Sequence, residues 1–129
     1  MKLAREIIDQ TIKLRRHFHQ NPELGMEEYE TSKKVAEILE ELGLTVKKNI
    51  ANTGVMGFLE GSKPGNTVLL RADMDALPIQ DEKNVPYSSK VSNKMHACGH
   101  DAHTAILLGV ARVLAQNREN LAGNVKFIF

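Results

Sequence analysis

The sequence predicts an α/β domain in which a mixed sheet is flanked by helices. Three observations support this fold class. Apolar residues recur at helical spacing in three segments, they alternate with other residues in one early strand, and they form two short continuous runs of the kind found in buried strands. The 129 residues suffice for one domain, and no internal repeat or interdomain linker interrupts them.

Two amphipathic helices open the chain. The first is predicted over residues 2–19, and Asn21-Pro22 ends it because proline disfavours helical geometry in the residue before it. His17 and His19 come at the end of this helix, where a cationic or hydrogen-bonding histidine is favourable by itself. The second helix is predicted over residues 27–42, where Gly43 provides a typical C-terminal stop.

A β-hairpin follows the second helix. Apolar residues alternate with other residues over 44–50, and a second short strand covers 55–60. Asn52-Thr53-Gly54 separates the two segments with residues that favour tight turns. The pair therefore predicts an antiparallel hairpin.

The second half of the chain alternates strands with a helix. Residues 61–65 are predicted as a loop, and the almost wholly apolar run 67–72 is predicted as an interior strand. Residues 76–94 contain two prolines and many polar groups, so they predict an irregular loop. A helix is then predicted over 102–116, and a second buried strand over 124–129.

The composition excludes several classes of function. The chain is 42% hydrophobic and 26% charged, with a net charge of +1, and this balance argues against a dedicated nucleic-acid-binding protein. No segment has the apolar length of a signal peptide or a membrane span. The single cysteine excludes an internal disulfide and is compatible with a reducing compartment, so a cytoplasmic location is predicted.

The segment 94–105 carries the only cysteine and three of the five histidines. If it is extended up to His100, then His96, Cys98 and His100 can share one face. Asp101 is then predicted as the N-cap of the following helix. A thiolate and an imidazole presented together suit zinc or another late divalent metal. The alternatives are a buried free cysteine beside capping histidines, and a cysteine nucleophile assisted by His100 or by the nearby His103.

A second polar group follows the predicted strand 67–72. Asp73 and Asp75 lie two residues apart, so both can face the crevice at the carboxyl edge of the sheet, where ligands bind in open α/β folds. There the carboxylates would serve as metal ligands, or as hydrogen-bond acceptors that fix an imidazole's orientation. The alternative is a turn in which the aspartates bind their own backbone.

These segments resemble the co-catalytic metal amidohydrolases, a family that includes hippurate hydrolase, the indole-3-acetyl-amino-acid hydrolases and the N-acetyl-diaminopimelate deacetylases. The resemblance is carried by Arg-Ala-Asp-Met-Asp-Ala-Leu-Pro at 71–78 and by Met-His-Ala-Cys-Gly-His-Asp-Ala-His-Thr at 95–104. The opening segment 14–28 is also similar. The resemblance implies a zinc-peptidase-like catalytic domain, of which residues 1–129 would be the N-terminal portion.

The resemblance also implies roles for individual residues. Cys98 and His100 would be metal ligands, and Asp75 would be the catalytic-site carboxylate that helps to orient the metal site. Asp73 stands where more distant relatives place a metal-binding histidine. His96 and His103 belong to the motif, but the resemblance assigns them no role. The implied cofactor is a divalent metal, zinc or manganese, with two ions in a complete site.

The implied reaction is hydrolysis of the amide bond of an N-acyl amino acid, a small-molecule substrate, by metal-activated water. In the family, a general-base glutamate, later ligands and a smaller inserted domain would follow Phe129, so all of these are expected to be absent here. We therefore expect the chain to be inactive alone and to self-associate through uncovered apolar surface. The alternative is a non-enzymatic remnant that binds metal weakly or not at all.

Overall fold

The structure of the chain, a computed structural model, describes residues 2–129, with side chains from residue 5 onward. It contains three α-helices, one short 3-10 helix and four strands. In chain order these are α1 (Lys2–Gln20), α2 (Tyr29–Glu41), β1 (Thr45–Ile50), β2 (Gly54–Glu60), β3 (Lys63–Arg71), α3 (His100–Gln116), the 3-10 turn (Arg118–Asn120) and β4 (Ala122–Ile128).

The strands form one mixed sheet in the order β1-β2-β4-β3. β1 pairs with β2 antiparallel, which confirms the predicted hairpin, and β2 pairs with β4 antiparallel. β3 runs parallel to β4. α2 packs against β1 and β2, while α1 packs against α3. The predicted fold class, a mixed sheet flanked by helices, is confirmed.

The hydrophobic core lies between the two central strands and the helices. β2 and β4 alternate buried with less buried residues, as strands covered on one face do. The largest side chains that are almost wholly removed from solvent are Phe18 of α1, Leu39 of α2, Leu59 of β2, Leu108 of α3 and Phe127 of β4. Each layer of the domain therefore contributes to one core.

The position of β3 corrects two predictions. The strand begins at Lys63, inside the segment predicted as a loop, and it lies at an edge of the sheet instead of in its interior. Val68 and Leu69 are 55% and 54% exposed, so both faces of the strand are open to solvent among residues 2–129. The apolar run indicated a strand covered on both sides, but the interior position is taken by β4. Self-association through this surface stays a prediction.

The start of α3 corrects a third prediction. The residue that precedes the helix is Gly99, whose φ of 80° turns the chain into the first helical residue, His100. Asp101 lies inside the first turn with its side chain fully buried, and it does not cap the helix. The physical reason is that its carboxylate is paired with groups of α1, which the local sequence does not reveal.

Within residues 2–129, none of the helices combines the length and the apolar character that crossing a membrane requires.

Candidate metal centre

The three segments that carry the motifs meet at one end of β3. Just beyond this strand, the backbone amide of Ala76 donates a hydrogen bond to the carbonyl of Glu23 at 2.7 Å, which brings in the opening segment. Leu77 and Met95 then exchange two backbone hydrogen bonds, of 2.9 and 3.0 Å. These bonds bring the acidic segment and the cysteine-containing segment together although about twenty residues separate them in the chain.

The acidic segment keeps the alternation of a strand beyond Arg71. Ala72, Met74 and Ala76 are buried in the core side of this segment, whereas Asp73 and Asp75 are only partly buried. The two carboxylates have different partners. Asp73 forms an ion pair with Arg71, and its backbone oxygen accepts a hydrogen bond from Thr104 at 2.9 Å.

Asp75 contacts the predicted metal ligand His100. The imidazole Nδ1 lies 2.9 Å from the Asp75 carboxylate and 3.0 Å from the backbone oxygen of the same residue. Since both neighbours are acceptors, Nδ1 carries the proton in this hydrogen bond. The opposite ring nitrogen, Nε2, has no hydrogen-bond partner within the part of the chain that the structure describes. A carboxylate that fixes a histidine through one nitrogen and leaves the other for a metal is a common arrangement in metalloenzymes.

The other residues of the motif are placed in different environments. The segment bends at Cys98 and Gly99 and is not extended up to His100, so the condition under which His96, Cys98 and His100 were predicted to share one face is not met. Cys98 is exposed, whereas His96 is only 4% exposed. His103 is exposed, and its ring lies 5.8 Å from that of His100, centroid to centroid.

His96 is a buried histidine without a hydrogen bond to either ring nitrogen in the described chain. Burial lowers its pKa from 6.5 to about 4, although the charge of Asp101 acts in the opposite direction. The ring is therefore neutral at pH 7.

No three His, Cys, Asp or Glu side chains converge in a way that could hold a metal ion, as far as residues 2–129 show. The available donors nevertheless fit a borderline divalent metal. Cys98 offers a sulfur at the surface, and His100 offers a nitrogen whose ring is already oriented by Asp75. The donor types of Cys98 and His100 are therefore compatible with part of a metal-ligand set.

The sequence analysis missed a buried ionic cluster directly behind His100. Asp101, with no exposed side-chain surface, forms an ion pair with Arg15 Nε at 2.9 Å, and the same oxygen lies 2.6 Å from His19 Nδ1. The other ring nitrogen of His19 faces Asp81 at 3.5 Å, without the alignment of a hydrogen bond. We call Arg15, His19, Asp81 and Asp101 the buried cluster. The available signal was the spacing of Arg15 and His19, which places both on one face of α1.

Asp81 organises the irregular loop between the two motifs. Its buried carboxylate accepts hydrogen bonds from the backbone amides of Ser89 and Lys83, at 2.9 and 3.1 Å, and lies 3.3 Å from the Lys83 ammonium. The Ser89 hydrogen bond makes the largest contribution to lowering the pKa of Asp81 from 3.8 to about 2, against the effect of burial. The ionised Asp81 carboxylate thus anchors the loop, through its contacts with Lys83 and Ser89.

This anchor predicts a dependence of stability on pH. Because the pKa of Asp81 is lower in the folded than in the unfolded protein, its stabilisation is complete above pH 4 and is lost as the pH falls towards 2. We expect Asp81→Asn to reduce the free energy of unfolding by about 1 to 2 kcal/mol at pH 7. Urea denaturation at pH 7, 4 and 3 measures the effect.

The difference between the wild type and Asp81→Asn should become smaller from pH 4 to pH 3. Asp9→Asn is the matched control because Asp9 is an exposed aspartate of α1. Equal losses of stability in the wild type and in Asp81→Asn over this interval would show that Asp81 is not the titrating group.

The sequence comparisons agree with the motifs. Residues 69–129 match the profile of peptidase family M20/M25/M40. The chain is 50% identical to thermostable carboxypeptidase 2 of Saccharolobus solfataricus over 127 residues, which are 98% of this chain and 32% of that protein. It is 44% identical to an N-acyl-L-amino acid amidohydrolase of Geobacillus stearothermophilus over 128 residues, 99% of this chain and 35% of that protein.

The fold comparison gives the same result. The structure superimposes on the Bacillus subtilis YxeP protein, described as a dinuclear metal-binding peptidase of the M20 family, with a TM-score of 0.91 and 44% identity. The match covers 97% of this chain and 35% of that one. The chain is thus similar to proteins of the M20 peptidase family, which confirms the resemblance predicted from the motifs.

The chain spans about 30% of the length of the curated relatives that it matches. The similarity therefore concerns only one portion of those proteins. In this chain, the matching portion contains Asp75, Cys98 and His100.

Proposed function

We propose that this chain is the N-terminal portion of the catalytic domain of a metal-dependent amidohydrolase that cleaves N-acyl amino acids. The observation that supports this most directly is the contact of Asp75 with Nδ1 of His100. It orients the ring and leaves Nε2 available, beside a segment that presents Cys98 at the surface. The names of the related amidohydrolase and dinuclear metal-binding peptidase support the same class.

In this proposal each residue has a separate role. Cys98 and His100 are the metal ligands that this chain supplies, and Asp75 holds His100 in one tautomer and one orientation. A bound divalent metal supplies Lewis-acid activation of water and of the amide carbonyl. Zinc and manganese both accept nitrogen donors, whereas the thiolate favours zinc. The complete site holds two metal ions.

In the family that the motifs resemble, the general-base glutamate would follow Phe129. We therefore propose that the isolated chain does not turn over N-acetyl or hippuryl amino acids at an appreciable rate. A cytoplasmic location is also part of the proposal, because a single cysteine is compatible with a reducing compartment. Robust metal-dependent hydrolysis by the isolated chain would show that its own residues complete the site.

The proposal is tested by metal affinity. We expect Cys98→Ser and His100→Ala each to weaken Co²⁺ binding by at least tenfold, because each removes one of few ligands. Asp75→Ala should weaken it by about 10- to 100-fold, the usual effect of removing a carboxylate that supports a ligand. Metal content by elemental analysis and Co²⁺ titration, followed through the absorption of the cobalt-thiolate bond, measure both effects.

His17→Ala is the matched control, since His17 is an exposed histidine of α1 outside the site. Unchanged metal content in both ligand variants would remove the metal proposal. Rapid alkylation of Cys98 in metal-free protein, with loss of a measurable turnover, would favour the cysteine nucleophile instead.

A further inference from the structure

The buried cluster lies next to the candidate ligand His100 and contains none of the candidate metal ligands. Asp101 directly follows His100 in the first turn of α3, and its carboxylate reaches back to Arg15 and His19 of α1. His19 and Asp101 are 82 residues apart in the chain, so this contact fixes the distance between two helices.

A buried carboxylate must be well paired, because removing a charge from water is unfavourable unless hydrogen bonds replace the lost hydration. Here the pairing partners come from one helix and the carboxylate from the other. Displacement of the first turn of α3 would therefore break the buried His19–Asp101 hydrogen bond and the ion pair of Asp101 with Arg15. Since Asp101 and His100 are consecutive helical residues, the same contacts restrain the backbone of His100.

His19 is the central residue of the cluster. It is 1% exposed, and its two ring nitrogens face different segments: Nδ1 faces Asp101 of α3, and Nε2 faces Asp81 of the loop that follows the acidic segment. The His19 ring therefore lies between the start of α3, which carries His100, and the loop that begins just after Asp75. The His100–Asp75 contact joins the same two segments on the outer side.

We propose that His19 is a positioning residue for His100: its contact with Asp101 holds the first turn of α3 where the His100 ring meets Asp75. The inference rests on the proposed function in one respect, that His100 is oriented in order to bind a metal. The contacts that orient it involve no metal. His19 touches neither candidate ligand and acts through Asp101.

Two amide substitutions of His19 distinguish the role of Nδ1 from that of Nε2. In His19→Asn the side-chain amide can replace Nδ1 and still donate to Asp101. In His19→Gln the amide reaches the position of Nε2, so that the Asp101 contact is lost while size and polarity are largely kept. His17→Gln is the matched control on the exposed face of α1.

The readout is the state of the His100 ring in metal-free protein, measured by NMR of ¹⁵N-histidine-labelled chain. We expect the wild type, His19→Asn and His17→Gln to show a single His100 tautomer with the proton on Nδ1. His19→Gln should show a mixture of tautomers. Co²⁺ affinity should fall by about tenfold in His19→Gln and be restored in His19→Asn, as for other residues that support a ligand.

An unchanged His100 ring in His19→Gln, with only a lower stability to urea, would overturn the inference and leave His19 with a purely structural role. A His100 tautomer mixture in the wild type would overturn it as well. If the wild type binds no Co²⁺, the proposed function fails, but the ring measurement still decides whether His19 positions His100.

Discussion

Replacing Asp101 with alanine is expected to lower the free energy of unfolding by about 3 to 5 kcal/mol, the typical loss when one partner of a buried charge pair is removed. The carboxylate has no exposed surface and is the shared acceptor for Arg15 and His19. Without it, Nδ1 of the buried His19 ring keeps only the 3.4 Å contact with Arg15, and Arg15 loses its charged partner. Urea denaturation monitored by circular dichroism measures the loss.

Asp9→Ala is the matched control because Asp9 is an exposed aspartate on α1, and it should change stability by less than about 0.5 kcal/mol. A loss of less than 1 kcal/mol in Asp101→Ala would mean that water replaces the carboxylate without difficulty. In that case the buried cluster would not restrain the start of α3.

Gly123→Ala is expected to have a second large effect, a loss of about 3 kcal/mol or more. Gly123 has a φ of 80° and lies where the register of β4 against β3 shifts, and a Cβ atom there would collide with the backbone oxygen of Asn66. Because the obstacle is backbone, relief requires separation of the two strands. The same pairing places the acidic segment, so the His100–Asp75 contact should weaken with it.

Gly43→Ala distinguishes the cost of a positive φ from the cost of the backbone collision expected at Gly123. Gly43 also has a positive φ, 76°, but a Cβ there would meet nothing within 4 Å. We expect a loss of about 1 to 2 kcal/mol from the left-handed conformation alone. Similar losses in the two variants, by thermal or urea unfolding, would contradict the collision at Gly123.

The helices and the hairpin could be predicted because each has one buried face that leaves a periodic pattern in the sequence. Phe18, Leu39 and Leu108 all follow helical spacing, and Val55 and Leu59 follow strand alternation. The edge position of β3 could not be predicted in this way. A continuous apolar run such as that around Val68 indicates a strand covered on both faces, whether or not the covering segments are among the residues in hand.

The sequence indicated candidate residues for the site but not their geometry. The motifs indicated Asp75, Cys98 and His100, and the structure shows that Asp75 and His100 are in contact. The role of Asp101 was not predictable, because an aspartate at a helix start is typical of an N-cap, and its true partner is 82 residues away. Only the tertiary packing of α1 on α3 decides between the two.

The backbone conformation of Gly99 determines how Cys98 and His100 are placed relative to each other. This residue separates the two candidate ligands, has a φ of 80° and would meet no atom within 4 Å if it carried a Cβ. A side chain there would fit sterically, yet it would favour a right-handed backbone. Such a change would alter the distance between the Cys98 sulfur and the His100 imidazole while leaving both donors present. If Cys98 and His100 bind one metal ion as proposed, the backbone torsion angles of Gly99 set the distance between their donor atoms.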